Sequence, residues 1–519
     1  MQWLVCLGLS FIKSILSLIF HVLQVFHDSI TTFFTNQRQR HPKTPKNKKK
    51  VVVIGGSFAG LSAIHKLNHY SDELEVTLVD CRDWFEYIPG ILRAFVDASY
   101  ASNIVRKRST TTTTESFVQG IAKQIERNNI IVSPTIGYNG NIHGSRRRTK
   151  AKENGSDGNE PETITLPYDY LVVATGSKHK HPTITPSIGS TTAENYKDRL
   201  RAFENEEQRI RSAKSIIILG GGPVGVELAA EISCHFPSKA VTIIQRSDRL
   251  LPSFPNETGI YVEQWFRQRN VCVLLNTTLS SHNERQCITT SGDVYTADVV
   301  YVCFGMKPNS DFMVANMNKT TAATNDDTSN NSDNDITQKN SIVDPNGFIL
   351  VKDTFEIKEN CTEEKNIDGT VTSANSIFVV GDVASHSSNE MKQAYYAEAH
   401  GHVVAKNILA MARASSSTTN KNNFFLESYP EIFTHDKSNE MPLVYTVSLG
   451  RYDGSLGFNG FVLNGPIASL LKWIIEYTKV MQMEGKAVGE YIWWIGDTVT
   501  LWMSRNILPP PSSTYQTKN

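Results

Sequence analysis

Val51-Val52-Val53-Ile54-Gly55-Gly56-Ser57-Phe58-Ala59-Gly60 decides the fold. A run of β-branched residues feeds a glycine turn and then a helix-like stretch. Val51 to Ile54 therefore reads as a buried parallel strand, and the turn aims backbone N–H groups and a helix N-terminus at a pyrophosphate. The pattern occurs twice, because Ser215 to Leu219 runs into Gly220-Gly221-Gly222-Pro223-Val224-Gly225. One such motif is a weak signal, but each copy stands between a strand and a helix and carries a second strand at the same distance. The chain is expected to hold two separate dinucleotide sites.

The two units differ where a ribose would sit. In the first, Glu75 to Val79 ends in Asp80, 25 residues after Gly55, which places an acid where a ribose 2′-hydroxyl is accepted. The same step from Gly220 reaches Gln245, followed by Arg246. No acid there repels a 2′-phosphate, and Arg246 is placed to grip one, so the second nucleotide is NADH or NADPH. Ser57 occupies the second glycine position of the first turn and crowds the pyrophosphate slightly, while Gly56 keeps the turn adaptable.

Composition narrows the function class. The 519 residues suffice for about three domains, are 40% hydrophobic and 20% charged, and carry zero formal net charge, so no large nucleic-acid surface is implied. Seven cysteines stand singly, without a C-x-x-C or C-x-x-x-x-C pair, which argues against a zinc site and against a redox-active dithiol. No metal is expected. Cys81 and Cys303 read as packed small hydrophobes.

Tyr168 to Ser177 is a strand running into the small-residue turn Ala174-Thr175-Gly176, and Ala297 to Val302 runs likewise into Cys303 to Asn309. The whole second unit lies between these junctions, so it reads as an insertion into the first. Ser376 to Val380 is the last strand of the resumed domain and ends at Gly381-Asp382, where the carboxylate is placed to accept hydrogen bonds from flavin ribityl hydroxyls or to cap a helix. The expected fold class is α/β, with two Rossmann-like dinucleotide-binding domains, the NAD(P) domain inserted in the FAD domain, and a small C-terminal domain. The corresponding divisions are a membrane-associated helix at 1–34, a basic linker at 35–49, FAD-domain parts at 50–180 and 306–435, the NAD(P)H domain at 181–305, and a C-terminal interface or membrane-docking region at 436–519. Polar tracts at 137–163, 317–342 and 413–423 hold too little apolar surface to offset ordering and are expected as mobile loops.

Trp3 to Phe26 is mostly apolar, and its polar residues Ser10, Lys13, Ser14, Ser17, His21 and Gln24 fall within an arc of roughly 100° on a helix. Such a helix lies in a membrane interface, or spans a bilayer with its stripe against protein. The basic run from Arg38 to Lys50 would keep the catalytic domains cytosolic, or is simply a solvated linker; a cleaved mitochondrial or plastid transit peptide is the alternative reading. After Pro466 the aromatic-rich tail, with Trp473, Tyr491, Trp493, Trp494 and Trp502, either docks at a bilayer and admits a quinone or packs a C-terminal domain or homodimer contact.

Residues 50 to about 465 resemble the two-dinucleotide-domain flavoproteins, most closely the apoptosis-inducing-factor-like, mitochondrion-associated branch that includes ferroptosis suppressor protein. The resemblance runs through Val53 to Gly60, Leu78-Val79-Asp80, Leu92-Arg93, Ala174 to Ser177, Gly220 to Glu227, Val380-Gly381-Asp382, Ala394 to Ala397 with His400, and Leu449 to Gly454. It implies FAD held by the backbone of Gly55, Gly56, Ser57, Phe58, Ala59 and Gly60, by Asp80, Arg93, the Ala122 backbone and Asp382, with Thr175, Gly176 and Gly381 alongside. The second glycine motif places a pyridine nucleotide on Gly220, Gly222, Gly225 and Arg246, and the resemblance implies Glu227 near the nicotinamide and flavin. The expected reaction passes electrons from NAD(P)H through FAD to a quinone at a membrane, or to another small electron acceptor or oxygen. A redox-sensing or death-effector flavoprotein is the reading from a different class.

Overall fold

The computed structural model describes residues 8–17, 19–20, 24, 48–108, 116–126, 128–135, 148–149, 163–178, 195–313, 342–358, 376–388, 390–416, 425–434 and 440–510. Most of the three polar tracts, and His21, lie outside these residues.

The first dinucleotide unit is built on β1 (Lys49–Ile54), which enters a glycine turn and continues as α1 (Phe58–Asn68). β1 is flanked in parallel by β2 (Leu74–Asp80), and β2 by β3 (Ser116–Ile125). β4 (Asn129–Pro134) and β5 (Thr163–Pro167) extend this edge as antiparallel strands. On the other side β1 pairs with β6 (Tyr170–Val173). The central strands read as continuous apolar runs because both faces of a parallel sheet are covered by helices.

The chain leaves this sheet through Ser177–Lys178 and returns through Lys307–Pro308, and the two crossing segments pair antiparallel. Between them, α2 (Tyr196–Ser212) leads to the second unit: β7 (Ser215–Leu219), α3 (Pro223–His235), β8 (Ala240–Ile244), α4 (Asn256–Arg267), β9 (Cys272–Leu274) and β10 (Val299–Val302), in the parallel order β9-β8-β7-β10. The inserted arrangement expected from the strand junctions is thus the observed one. Arg199 of α2 reaches back to the first unit and makes a buried two-pronged ion pair with Glu86, Nε to Oε1 at 2.9 Å and a terminal nitrogen to Oε2 at 3.1 Å.

After the return, β11 (Ile377–Val379) completes the first sheet beside β6. α5 (Ala394–Ser416) then packs on α1 so closely that a Cβ on Gly401 would lie 2.4 Å from the Ala59 carbonyl oxygen. This helix runs through Ser416, into the tract expected to be a loop from 413, because Ala405, Ile408, Leu409 and Ala412 form a buried helical stripe that carries it onward. Arg148–Thr149, within the first polar tract, pairs as a short strand with β5. The C-terminal part is an antiparallel sheet of β12 (Val444–Ser448), β13 (Gly454–Phe458) and β14 (Phe461–Asn464), followed by α6 (Pro466–Met483) and α7 (Ala487–Asn506).

Candidate active site

The two glycine turns are near copies. Gly55 and Gly220 take positive φ of 97° and 108°, and a Cβ on Gly60 or Gly225 would fall 1.9 Å from the carbonyl oxygen of Gly55 or Gly220. Side chains are thereby excluded at both positions. Gly56 N–H donates to Asp80 Oδ2 at 2.8 Å; Gly221 N–H donates to Gln245 Oε1, also at 2.8 Å. Gln245 therefore takes the place of Asp80 in the second unit, neutral where the first is anionic. Arg246, next along, is exposed. Open space fronts Gly222, where an added Cβ would meet nothing within 4 Å.

Sequence spacing did not show Arg108. One terminal nitrogen lies 3.3 Å from Asp80 Oδ2 and also hydrogen-bonds the Gly56 carbonyl, so the Asp80 carboxylate carries its own cation. Ala122 is buried on β3, opposite Val132. Thr175 Oγ1 donates to the Asn309 carbonyl at 2.8 Å, which ties the turn after β6 to the returning strand, while Gly176 faces open space.

Asp382 lies in a single 3₁₀ turn, Gly381–Val383, well ahead of α5. It is not the helix cap considered from sequence, and instead accepts a hydrogen bond from Ser177 Oγ at 2.9 Å. A Cβ on Gly381 would come within 3.1 Å of Ala59 Cβ, so the loop sits directly on the first glycine turn. The buried His400 braces it: Nδ1 accepts the Gly381 N–H at 3.2 Å, and Nε2 lies 2.6 Å from Glu390 Oε1, whose other oxygen takes the Tyr429 hydroxyl. His386, in ring contact with His400, is driven down to about 4 by burial and by the neighbouring imidazole.

Between the two units and the C-terminal part lies a cluster of largely buried charge. Glu227 of α3 accepts the Ser448 N–H at 2.7 Å and the Ser448 hydroxyl at 3.1 Å, and pairs with Lys472 of α6. Arg93 reaches Glu231 of α3 at 2.9 Å and the Gly450 carbonyl at 3.2 Å, so it bridges all three parts of the chain. Tyr87 stands at the centre, against the Phe58 ring of the first turn at 5.9 Å, and burial with Glu476, Glu398 and Glu227 around it holds its hydroxyl well above the usual range. Lys472, Lys479, Glu398 and Glu476 had no sequence signature, since helices distant in the chain bring them together.

The amino-terminal helix packs beside this cluster. Its polar stripe turns inward: Ser10 Oγ meets the Tyr452 hydroxyl at 3.3 Å, Ser17 donates to the Tyr477 hydroxyl at 3.0 Å, and Gln24 accepts from the Val488 N–H at 3.2 Å. Lys13 lies over the Tyr452 and Trp473 rings, 5.8 and 5.7 Å from their centroids. The opposite face, Phe11, Ile12, Ile15 and Ile19, is exposed, as are Tyr491, Trp494, Ile495 and Trp502 of α7. Among the described residues no helix is long and apolar enough to cross a membrane. The tail thus divides: Trp473 packs inward beneath Lys13 and Trp493 beneath Lys479, while Trp494 and Trp502 face out.

Residues 49–338 match the model of the family described as pyridine nucleotide-disulphide oxidoreductase. The chain belongs to that family. As a member of the pyridine nucleotide-disulphide oxidoreductases it is an oxidoreductase using FAD and NADH or NADPH. It is 26% identical over 447 residues to apoptosis-inducing factor homolog A of Dictyostelium discoideum, covering 80% of this chain and 88% of that protein. Against ferroptosis suppressor protein 1 of Xenopus tropicalis the identity is 23% over 435 residues, covering 82% and 92%. In fold it is similar to NDH2 from Plasmodium falciparum in complex with NADH (TM-score 0.56, 13% identity, 89% of this chain and 99% of that one). It is also similar to the sulfide:quinone oxidoreductase of Aquifex aeolicus (TM-score 0.55, 15% identity, 84% and 92%).

Proposed function

We propose that this chain is an NAD(P)H:quinone oxidoreductase that works against a membrane surface, with its catalytic domains on the cytosolic side. The observation carrying this reading is the exposed apolar face of the amino-terminal helix and of α7, on elements whose other side packs against the protein. Aromatic rings such as Trp494 and Trp502 favour the interface between lipid and water, and a lipophilic quinone is concentrated there. One of the proteins sharing this fold acts on a quinone by its name.

The residues fit the two cofactors in distinct places. FAD would lie along the Gly55 to Gly60 turn, with Asp80 at its ribose, the Ala122 backbone, Thr175 and Gly176 beside it, and Gly381-Asp382 at the ribityl chain. Arg93 fixes the segment after Tyr87 against the second unit. The pyridine nucleotide would take Gly220, Gly222 and Gly225, with Arg246 beside the ribose of its adenosine half. Glu227, made rigid by Ser448 and Lys472, sets the charge where nicotinamide and flavin would meet. When bound, FAD supplies two-electron transfer between nucleotide and acceptor; the protein supplies orientation and fixed electrostatics. The deciding experiment is steady-state turnover of the purified holoenzyme with NADH and NADPH against short- and long-chain quinones, ferricyanide and oxygen. Turnover confined to ferricyanide and oxygen overturns the quinone assignment.

A further inference from the structure

Three glutamates around Tyr87 influence it, and they are not equivalent. Glu227 is paired with Lys472, and Glu398 Oε2 with Lys479 at 2.7 Å. Glu476 of α6 has no cation within ion-pair distance among the described residues; its Oε1 accepts the Tyr100 hydroxyl, and its Oε2 lies so near Gly90 that a Cβ there would come within 2.9 Å. A buried carboxyl partnered by a hydroxyl rather than a cation favours its protonated form, and then offers an O–H donor.

We propose that Glu476 delivers a proton to the acceptor, and that Lys13, carried in on the amino-terminal helix over the Tyr452 and Trp473 rings, is a positioning residue for that delivery. This rests on the quinone reading. Two-electron reduction of a quinone to a quinol takes up two protons; NAD(P)H supplies two electrons and one proton as hydride. The second proton leaves the Glu476 carboxyl for a quinone oxygen, and water recharges the resulting carboxylate.

The charges facing Glu476 are Lys13 from the amino-terminal helix and Arg93 from the segment after Tyr87, with the hydroxyls of Tyr87 and Tyr100; Lys472 and Lys479 on its own helix are each committed to another glutamate. Burial pushes Glu476 up to about 7 against the pull of Arg93 and Lys13. Burial, Arg93 and Arg451 bring Lys13 down to about 8, with only Glu476 opposing. Proton delivery is therefore complete on the acid side of neutrality and fades above it. Neutralising Lys13 removes a cation that favours the carboxylate, so the alkaline limb moves up.

The test reoxidises reduced holoenzyme in a stopped-flow instrument with a short-chain quinone and, separately, with ferricyanide, which takes electrons and no protons. Glu476→Gln should slow the quinone reaction about 100-fold while ferricyanide stays within about twofold. Tyr100→Phe should give a smaller loss of the same selectivity, and Lys13→Met should move the alkaline limb of the quinone reaction upward by about one pH unit. Infrared titration of the carboxyl C=O stretch gives a readout independent of turnover: a band lost near neutral pH in wild type should be missing in Glu476→Gln. Slowing of both acceptors, or of neither, overturns the role of Glu476, as does the lack of such a band. A wild type that reacts with ferricyanide but with no quinone overturns the acceptor reading instead.

Discussion

Changing Gln245 to glutamate adds one negative charge to the second unit and almost no volume. Gln245 Oε1 already accepts the Gly221 N–H at 2.8 Å, as Asp80 accepts that of Gly56, so the substituted carboxylate has a ready donor. An NADPH 2′-phosphate of charge about −1.5, roughly 5 Å from that carboxylate at an effective dielectric of about 20, is repelled by roughly 5 kcal/mol. Solvent around the exposed Arg246 weakens this; half of it, roughly 2.5 kcal/mol, is a factor of about 70 in kcat/KM. NADH lacks the phosphate and gains a charged acceptor for its ribose hydroxyls, so its kcat/KM should hold or rise. Arg246→Ala should lower NADPH use by roughly 10-fold or more through loss of a charge-assisted hydrogen bond, and leave NADH nearly unchanged. The assay is kcat/KM for both nucleotides in wild type and the two variants with one acceptor. Equal losses for NADH and NADPH in Gln245→Glu would refute the assignment of this position to the ribose.

The protein should purify yellow with one non-covalent FAD, and Asp382→Ala should weaken flavin retention, measured by absorbance after dialysis. Deleting residues 1–34 should release the protein from sedimenting vesicles that contain anionic lipid and lower long-chain quinone turnover; binding that persists would shift the attachment to α7, where Trp494→Ser and Trp502→Ser then test it. Glu86→Ala strands the buried Arg199 and should cost roughly 3–5 kcal/mol in urea unfolding. His386 and His402 are both held at about 4, below the usual 6.5, by burial first. Because the folded state disfavours their protonation, their contribution is intact above pH 6.5 and is lost as pH falls toward 4, by up to about 1.4 kcal/mol per unit for each imidazole. His386→Asn should flatten that part of the Tm profile.

The nucleotide turns were legible because backbone geometry imposes them locally: strand, glycine and helix must follow at fixed spacing, and Gln245 could be read by counting from the parallel motif. The inward stripe of the amino-terminal helix was legible as an arc, and its contact with protein as one of two readings. The charge cluster was illegible for a physical reason. Lys472 and Glu476 sit on a helix whose apolar spacing is ordinary, and Glu227, Arg93 and Tyr100 meet them only through tertiary packing. Arg108 lies beyond the strand it serves, and the polar tract after Ala412 concealed a helix end whose packing residues lie upstream.

The zippered pair Ser177–Lys178 and Lys307–Pro308 bears on how the chain is made. A ribosome releases β1 to β6 first, but this sheet still lacks its edge strand β11 and the helix α5 that covers α1, both encoded after the insertion. The second unit has all its strands contiguous between the zipper's two halves, so it closes its sheet while the first waits with an open edge. The domain begun first is therefore finished last. Synthesis that pauses after Pro308 should yield a protease-resistant second unit beside a still-labile first one.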